Sequence, residues 1–421
     1  MKILVVGSGG REHAIIRKLK ESPKVDKIYA APGNGGISRD AECVDINAMD
    51  KEKMVAFSKE NNIDLVFVAP DDPLAAGMVD ALTENGIRAF GPCANAAIIE
   101  SSKVFSKNLM KKYNIPTAAY EVFNDPHKVM DYIEAQGKYP VVIKADGLAL
   151  GKGVIIAQNH DEAQDAVKEI MEDKKFGDSG NNVVVEEFLT GPEVSVLAFT
   201  DGKALKPMVS SKDHKRAYDN DEGLNTGGMG TISPNPYYTP EIAEICRKTI
   251  FEPTVAAMNS ENRTFKGCLY FGLMITPDGP KVIEYNARFG DPETQVVLPR
   301  LKTDFVDIIN AVIDGTLDKL DIEWSDEATA CVVMASGGYP QAYKKGLEIT
   351  GLDENGQVSG AIVYHAGTKY TDSKFYTNGG RVLGITASGK TLDEALEKAY
   401  SAVKTISFEG AHYRTDIGKT K

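Results

Sequence analysis

Cysteine is scarce and unpatterned in this chain: Cys43, Cys93, Cys246, Cys268 and Cys331 form no CxxC pair, and five is an odd number. That spacing supports neither a disulfide framework nor a cysteine zinc site, so the thiols read as core residues. Long apolar runs are missing too. The opening "MKILVVGSGGREHAIIRK" has a first apolar run of four residues, too short for a signal h-region, and no later stretch approaches the ~18 residues of a membrane span. A cytoplasmic location with no membrane partner is the expectation. An excess of positive charge is also absent: 48 Lys and Arg against 60 Asp and Glu leave a net charge of -12. That balance argues against wholesale nucleic-acid binding, while a local basic pocket for a phosphorylated small molecule remains open. No internal repeat or low-complexity segment is visible. The rest is ordinary globular composition, 42% hydrophobic and 26% charged over 421 residues, enough for roughly two to four domains.

The first hundred residues alternate strand and helix signals. "KILVV", "KIYAA", "IDLVFVA" and "IRAFG" read as short buried strands, separated by the helical stretches "REHAIIRKLK", "DKEKMVAFSKENN" and "PLAAGMVDALTENG". This predicts an open parallel α/β domain of Rossmann-like type over residues 1–102. The loop "GSGGRE" after the first strand comes close to a dinucleotide fingerprint, but Glu12 stands where the third glycine belongs and sets a negative charge near the would-be pyrophosphate. Nicotinamide dinucleotide binding is therefore disfavoured. The loop serves equally as a tight turn or as an anion site for another phosphate, and "APGNGG", residues 31–36, is either a turn or part of a ligand site at the end of the second strand.

After "GPCANAAIIESSK" the pattern changes. "SKVFSKNLMKKYNIPT" reads as a helix carrying Lys103 and Lys107 and ended by Pro116, with a strand-rich section beyond it. "YPVVIKADGLALGKGVIIA" follows: an apolar strand ending in Lys144, then Gly147, Gly151 and Gly153 around Lys152, then a second apolar strand. Alone, this is as readily a glycine-containing hairpin turn as a cradle in which backbone amides and two lysines meet phosphate. It is not the Walker pattern, because Gly153 follows Lys152 and a strand comes next. "NNVVVEEFLTGPEVSV" adds a strand running into Glu186 and Glu187, a turn at Gly191 and Pro192, and Glu193 opening another strand. The polar segment from Ser210 to Pro236 reads as a long functional loop without a core of its own, with Asp213, His214, Lys215 and Arg216 as candidates for substrate recognition.

"VIEYNARFGDPETQ", residues 282–295, starts as a buried strand and turns ionic. Period-2 alternation sets Val282, Glu284, Asn286 and Arg288 on one face and Ile283, Tyr285 and Ala287 on the other. Such a polar row is costly without partners, and it reads either as a structural ion-pair ladder or as a ligand site. In the last hundred residues "ATACVVMAS", "GAIVYHAGT" and "RVLGITASG" read as strands, and "TLDEALEKAYSAVKTISF" as a helix with Leu392, Leu396, Ala399, Val403 and Ile406 on one stripe. A separate small α/β cap over 326–421 is the expectation.

Lys103, Lys144 with its glycine loop, the "VVVEEFLTGPEVSV" hinge and "EYNAR", in that order, resemble an ATP-grasp ligase. More narrowly, "SSKDHKRAYDNDEGLNTGGMGTISP", "RFGDPETQ" and "RTDIG" are similar to the phosphoribosylamine-glycine ligase family, and the likeness runs from "GSGGREHA" at residue 7 to "DIG" ending at 418. The resemblance implies an α/β and α+β multidomain protein, with a two-lobed ATP-grasp core at 103–325 whose small lobe spans about 118–190. It implies an ATP-dependent ligase of purine biosynthesis that joins glycine to 5-phosphoribosylamine through glycyl phosphate.

The same matching implies that Lys103, Lys144, Gly147, Gly151, Lys152 and Gly153 meet the ATP phosphates. It gives the adenine amine to Glu186 and the rest of the nucleotide to Glu187, Phe188, Leu189 and Glu193. Arg288, with Lys144 and Lys152, faces the transferred phosphoryl group, and Glu284 and Asn286 hold Mg²⁺ or Mn²⁺. Gly9, Arg11, Asn34, Asp213, Lys215 and Asp291 are the matched substrate-binding positions. Many ATP-grasp enzymes carry a second metal carboxylate on the preceding strand, but "CLYFGLMI", residues 268–275, has none. The rival readings are another ATP-grasp ligase or carboxylase, an oxidoreductase resting on "GSGGRE" alone, and a non-catalytic nucleotide-binding protein.

Overall fold

The structure is a computed structural model that describes residues 1–148 and 153–419. At its N-terminal end, β1 (Lys2–Gly7), β2 (Lys27–Pro32), β3 (Glu42–Cys43), β4 (Leu65–Val68) and β5 (Ala89–Phe90) form a parallel sheet in the order β3-β2-β1-β4-β5. Both faces are buried, as an unbroken apolar run requires: Leu4 and Val6 enter one core, Ile3 and Val5 another. The expected single helix over "PLAAGMVDALTENG" is instead two, Asp71–Ala75 and Met78–Glu84, parted at Gly77 with φ 85°. Glycine enters that left-handed conformation without steric cost, so the apolar pattern continues while the helix does not. Strand order reverses between β1 and β4, so the loops after those two strands flank the crevice where open α/β sheets take ligands.

Next comes the antiparallel sheet β6-β9-β7-β8, built from β6 (Tyr120–Phe123), β7 (Val141–Ala145), β8 (Val154–Ala157) and β9 (Val183–Glu187), over its own core of Val129, Ile133, Ile143, Val183 and Val185. The chain then forms β10 (Glu193–Thr200) and β11 (Leu205–Pro207) and passes through four short strands, β12 (Lys212–Asp213), β13 (Arg216–Tyr218), β14 (Glu222–Asn225) and β15 (Gly230–Ser233). The long hairpin β16 (Gly267–Thr276) and β17 (Gly279–Asn286) follows, completing the sheet β11-β10-β16-β17.

Ser210 to Pro236 is therefore not a structureless loop. Its small and β-branched residues Gly230, Thr231, Ile232 and Ser233 are all buried and pair with a C-terminal strand. That strand is β18 (Ala328–Ala335), followed by β19 (Glu348–Ile349), β20 (Ile362–His365), β21 (Thr368–Thr371), β22 (Lys374–Thr377) and β23 (Arg381–Gly389). The main C-terminal sheet runs β12-β15-β18-β23-β20, so it is continuous with the preceding segment and does not close on itself. The helix Leu392–Val403 covers it with a stripe centred on Ala395, Ala399, Ala402 and Val403. Leu392 and Leu396 are only half-buried, and Ile406, which the stripe included, lies past the helix end.

The N- and C-terminal parts meet at two buried histidines. His13 Nδ1 accepts the His365 backbone N–H at 2.8 Å, which puts its ring proton on Nε2, 3.0 Å from Asp40 Oδ2. Asp40 also faces Arg17 and Lys20. His365 is held between Thr368 Oγ1 and the Gly356 carbonyl. Burial lowers both imidazoles below 6.5, His365 to about 3. The unfolded chain takes up protons below pH 6.5 that the folded chain refuses, so stability is full above 6.5 and falls as pH drops. His365, at about 3, contributes a loss on the order of 1 kcal/mol per pH unit below 6.5, and His13 adds to it in the same direction. The thermal midpoint should drop between pH 7 and pH 5, and a flat profile would contradict this seam.

Candidate active site

Strand β17 departs from simple alternation. Gly272 pairs with Glu284 but Leu273 pairs with Val282, so Ile283 is an extra residue in a β-bulge. Val282 thereby joins Tyr285 and Ala287 in the core, correcting the expected face, while Glu284, Asn286 and Arg288 stay together on the other side. A glycine opposite Glu284 matters, because a Cβ on Gly272 would lie 3.0 Å from Glu284 Cγ. Burial works against the Glu284 charge, but Lys215, Lys144, Lys103 and Arg288 outweigh it and hold its carboxyl below the usual range. Opposite Asn286 stands Tyr270, whose hydroxyl is 3.0 Å from Glu293 Oε1 and 2.8 Å from Ser195 Oγ. Among the described residues no cluster of three or more His, Cys, Asp or Glu is arranged to hold a metal.

Across from this row, β7 and β9 present Lys144 and Glu186. Glu186 Oε2 lies 3.0 Å from both Lys144 Nζ and Lys107 Nζ, and Lys144 also donates to the Ile283 carbonyl at 3.2 Å, tying the two lobes. Burial drives Lys107 down to about 8, with Glu186 opposing. Glu186 Oε1 is buried and has no hydrogen-bond partner. The next residues turn outward: Glu187 accepts the Ala119 N–H at 3.0 Å, and Phe188 is 39% exposed at the turn into β10. The backbone of Phe188 and Leu189 makes no hydrogen bond. Lys103 donates to the Gly147 carbonyl at 2.8 Å, and Gly153 accepts from Ala145 N–H at 2.8 Å. Gly151 and Lys152 lie outside the described residues.

A charged line leads from here to the N-terminal sheet. Lys215 Nζ sits 3.2 Å from Glu193 and 3.7 Å from Glu284, the Glu193 charge first among the causes that raise its pKa. Asp213 is half-buried beside Lys215, Arg381 and Glu293, and desolvation raises it well above the carboxylate range. Arg381 reaches Asp291 at 3.4 Å, and Asp291 Oδ2 accepts the Arg11 backbone N–H at 3.3 Å. Arg11 itself bonds Glu12 at 2.7 Å and the Phe289 carbonyl at 3.0 Å. Glu12 Oε2 takes the Gly9 N–H at 2.6 Å, so a carboxylate fills the loop that a dinucleotide pyrophosphate would need. Asn34 braces its surroundings. Its amide donates to the Ser8 and His365 carbonyls and accepts from Gly36 and Ile37, which commits every hydrogen-bonding position of the side chain to bracing loops.

The sequence reading passed over three groups. Lys107 was noted on its helix but given no place. Asp71 follows β4 at the crevice, held below the usual range by Arg288 and Arg11 against burial; "APDDP" at the end of the fourth strand was the available signal. Glu100, on the helix Ala94–Ser101, binds Arg288 at 2.9 Å and the Ala287 N–H at 2.6 Å, and burial pushes its pKa up to about 7 against the pull of Arg288.

Residues 1–100, 101–294 and 329–420 match, respectively, the N domain, the ATP-grasp (A) domain and the C domain of phosphoribosylglycinamide synthetase. The chain belongs to the phosphoribosylglycinamide synthetase family. A phosphoribosylamine--glycine ligase of Caldanaerobacter subterraneus subsp. tengcongensis is 50% identical over 417 residues, covering 99% of each chain. One from Clostridium acetobutylicum is 49% identical over the full length of both. The crystal structure of phosphoribosylamine--glycine ligase from Thermotoga maritima superposes with a TM-score of 0.86 at 34% identity, covering 99% of this chain and 100% of that one. The family fold extends to more distant chains. The biotin carboxylase domain of Hydrogenobacter thermophilus 2-oxoglutarate carboxylase, solved with MgADP and bicarbonate, shares it at 17% identity, with a TM-score of 0.72 and coverage of 98% and 91%. Among the described residues no helix is long and apolar enough to cross a membrane.

Proposed function

We propose that this chain is an ATP-dependent, ADP-forming ligase that joins glycine to 5-phosphoribosylamine, giving glycinamide ribonucleotide and phosphate in purine biosynthesis. Membership of the family and near-complete coverage by relatives of that name support the reaction. The observation that carries the site is the convergence of Lys103, Lys144, Lys215 and Arg288 on Glu284. That much positive charge around one carboxylate suits a nucleotide polyphosphate and its metal.

In this reading Glu186 Oε1, a buried acceptor without a partner, takes the adenine amine, and the open backbone of Phe188 and Leu189 meets the ring edge. Glu193 holds the ribose hydroxyls. Lys103 and Lys144 hold phosphate oxygens, and Lys152, outside the described residues, is the matched phosphate-binding lysine of the glycine loop. Glu284 and the Asn286 oxygen fit Mg²⁺ or Mn²⁺ as an oxygen-only pair, because Mg²⁺ completes its shell with water and phosphate. When bound, that ion neutralises phosphate charge as a Lewis acid.

Arg288 faces the γ-phosphate, where a guanidinium stabilises the charge of in-line transfer. The glycine carboxylate attacks the γ-phosphorus and ADP leaves. The amine of phosphoribosylamine then attacks the acyl carbon of glycyl phosphate, the C–N bond forms, phosphate departs with the C–O electron pair, and the amine proton passes to solvent. Lys215 and Asp213 are suited to orient the glycine end, with Gly9, Arg11 and Asp291 at the phosphoribosyl end. Glycine carrying ¹⁸O in its carboxylate should pass one label to inorganic phosphate, with ADP and glycinamide ribonucleotide as coproducts. Label in AMP, or AMP with pyrophosphate as products, would overturn the mechanism.

A further inference from the structure

The Glu100 carboxylate lies where neither helix energetics nor solvation favours it. It ends a helix, whose last turn carries partial negative charge, and its side chain is 7% exposed. Among the described residues, its direct partners are donors from three successive residues past Glu284, with the Asp71 charge further off. The Ala287 backbone N–H meets Oε2 at 2.6 Å, and Arg288 meets Oε1 at 2.9 Å. The Asn286 amide, in the orientation that satisfies its neighbours, donates to Oε1 at 3.0 Å and to the Tyr285 carbonyl at 3.2 Å. With its nitrogen so engaged, the Asn286 oxygen is turned away from these acceptors. Arg288 is pinned by the same carboxylate at one end, while its Nε is buried and unpartnered.

We infer that Glu100 is a positioning residue: it selects the oxygen, and not the nitrogen, of the Asn286 amide for the metal and sets the Arg288 guanidinium beside it. The inference rests on the reading of Glu284 and Asn286 as metal ligands. An amide presents a cation with either an acceptor or two donors, so the orientation decides whether the position binds at all. Outer partners that orient metal ligands are worth about 10- to 100-fold in metal affinity.

The test uses the full chain, Mn²⁺ and a non-hydrolysable ATP analogue, with bound Mn²⁺ read by electron paramagnetic resonance. Glu100→Gln should weaken Mn²⁺ by about 10- to 100-fold while affinity for the metal-free nucleotide stays within about twofold. In Glu100→Gln/Asn286→Asp the carboxylate and the amide trade places, so an oxygen always faces the metal and the Gln amide has an acceptor. Mn²⁺ affinity should return to near that of the parent. Unchanged Mn²⁺ affinity in the single variant, with only a lower melting temperature, would overturn the inference. Should the single variant fail to fold, the double variant carries the test: folded with parental affinity supports the inference, and unfolded or still weak overturns it. Glu284→Gln is the control, since unchanged Mn²⁺ affinity there would sink the metal reading itself, independently of Glu100.

Discussion

Glu284→Gln is expected to lower turnover about 10²- to 10³-fold, or roughly 3–4 kcal/mol of transition-state stabilisation, while the melting temperature stays near that of the parent. The substitution removes one charge and almost no volume. Its side chain is 37% exposed, and Lys215, its nearest cation, keeps Glu193 at 3.2 Å. Lys215 and Lys144 therefore keep a carboxylate partner, Lys144 through Glu186 at 3.0 Å. What is lost is the anionic oxygen among four cations that suits a divalent ion, so the Mg²⁺ concentration needed for half-maximal rate should rise together with the fall in kcat. Steady-state kinetics across a Mg²⁺ titration, with a melt on the same sample, reads both. Parental turnover would remove β17 from the chemistry and leave it a structural ion-pair ladder.

Long, strongly patterned elements were legible in the sequence. The apolar runs of β1, β2 and β4 and the ionic tail of β17 are local signals. The chemistry proposed for them rests on the family likeness of the glycine loop, the hinge and "EYNAR". The bulge at Ile283 was not legible, because a one-residue insertion in a ladder shows only when the partner strand is known, and it moved Val282 to the core. Nor was the pairing of Gly230–Ser233 with β18, a contact across about a hundred residues of chain that polar composition disguised as a loop. Site residues that act through long-range contacts were missed for the same reason. Glu100 reads as one acidic residue in a helix until Ala287 and Arg288 are brought to it from the far end of the chain. The bracing of Asn34 by Ser8, Gly36, Ile37 and His365 was hidden in the same way, since His365 comes to it from the far end of the chain.

Glu186→Leu should have the largest effect on stability. Glu186 is 4% exposed, and its Oε2 is 3.0 Å from two lysines that are themselves buried. Removing one member of a buried ionic cluster costs about 3–5 kcal/mol, because the charges left behind keep their desolvation cost and lose their counter-ion. Lys107, already brought down to about 8 by burial with Glu186 present, should then lose its proton near neutral pH. Replacing the second charge as well separates charge compensation from packing. In Glu186→Leu/Lys107→Met the pair becomes apolar at similar volume, an exchange that is often neutral, so the double variant should be more stable than the single. Lys144 retains the Ile283 carbonyl at 3.2 Å in both variants. Urea unfolding of parent, single and double variants gives the comparison. A double variant no more stable than Glu186→Leu would mean that Glu186 is not the counter-ion of Lys107, and that the cluster is held by packing, with charge incidental to it.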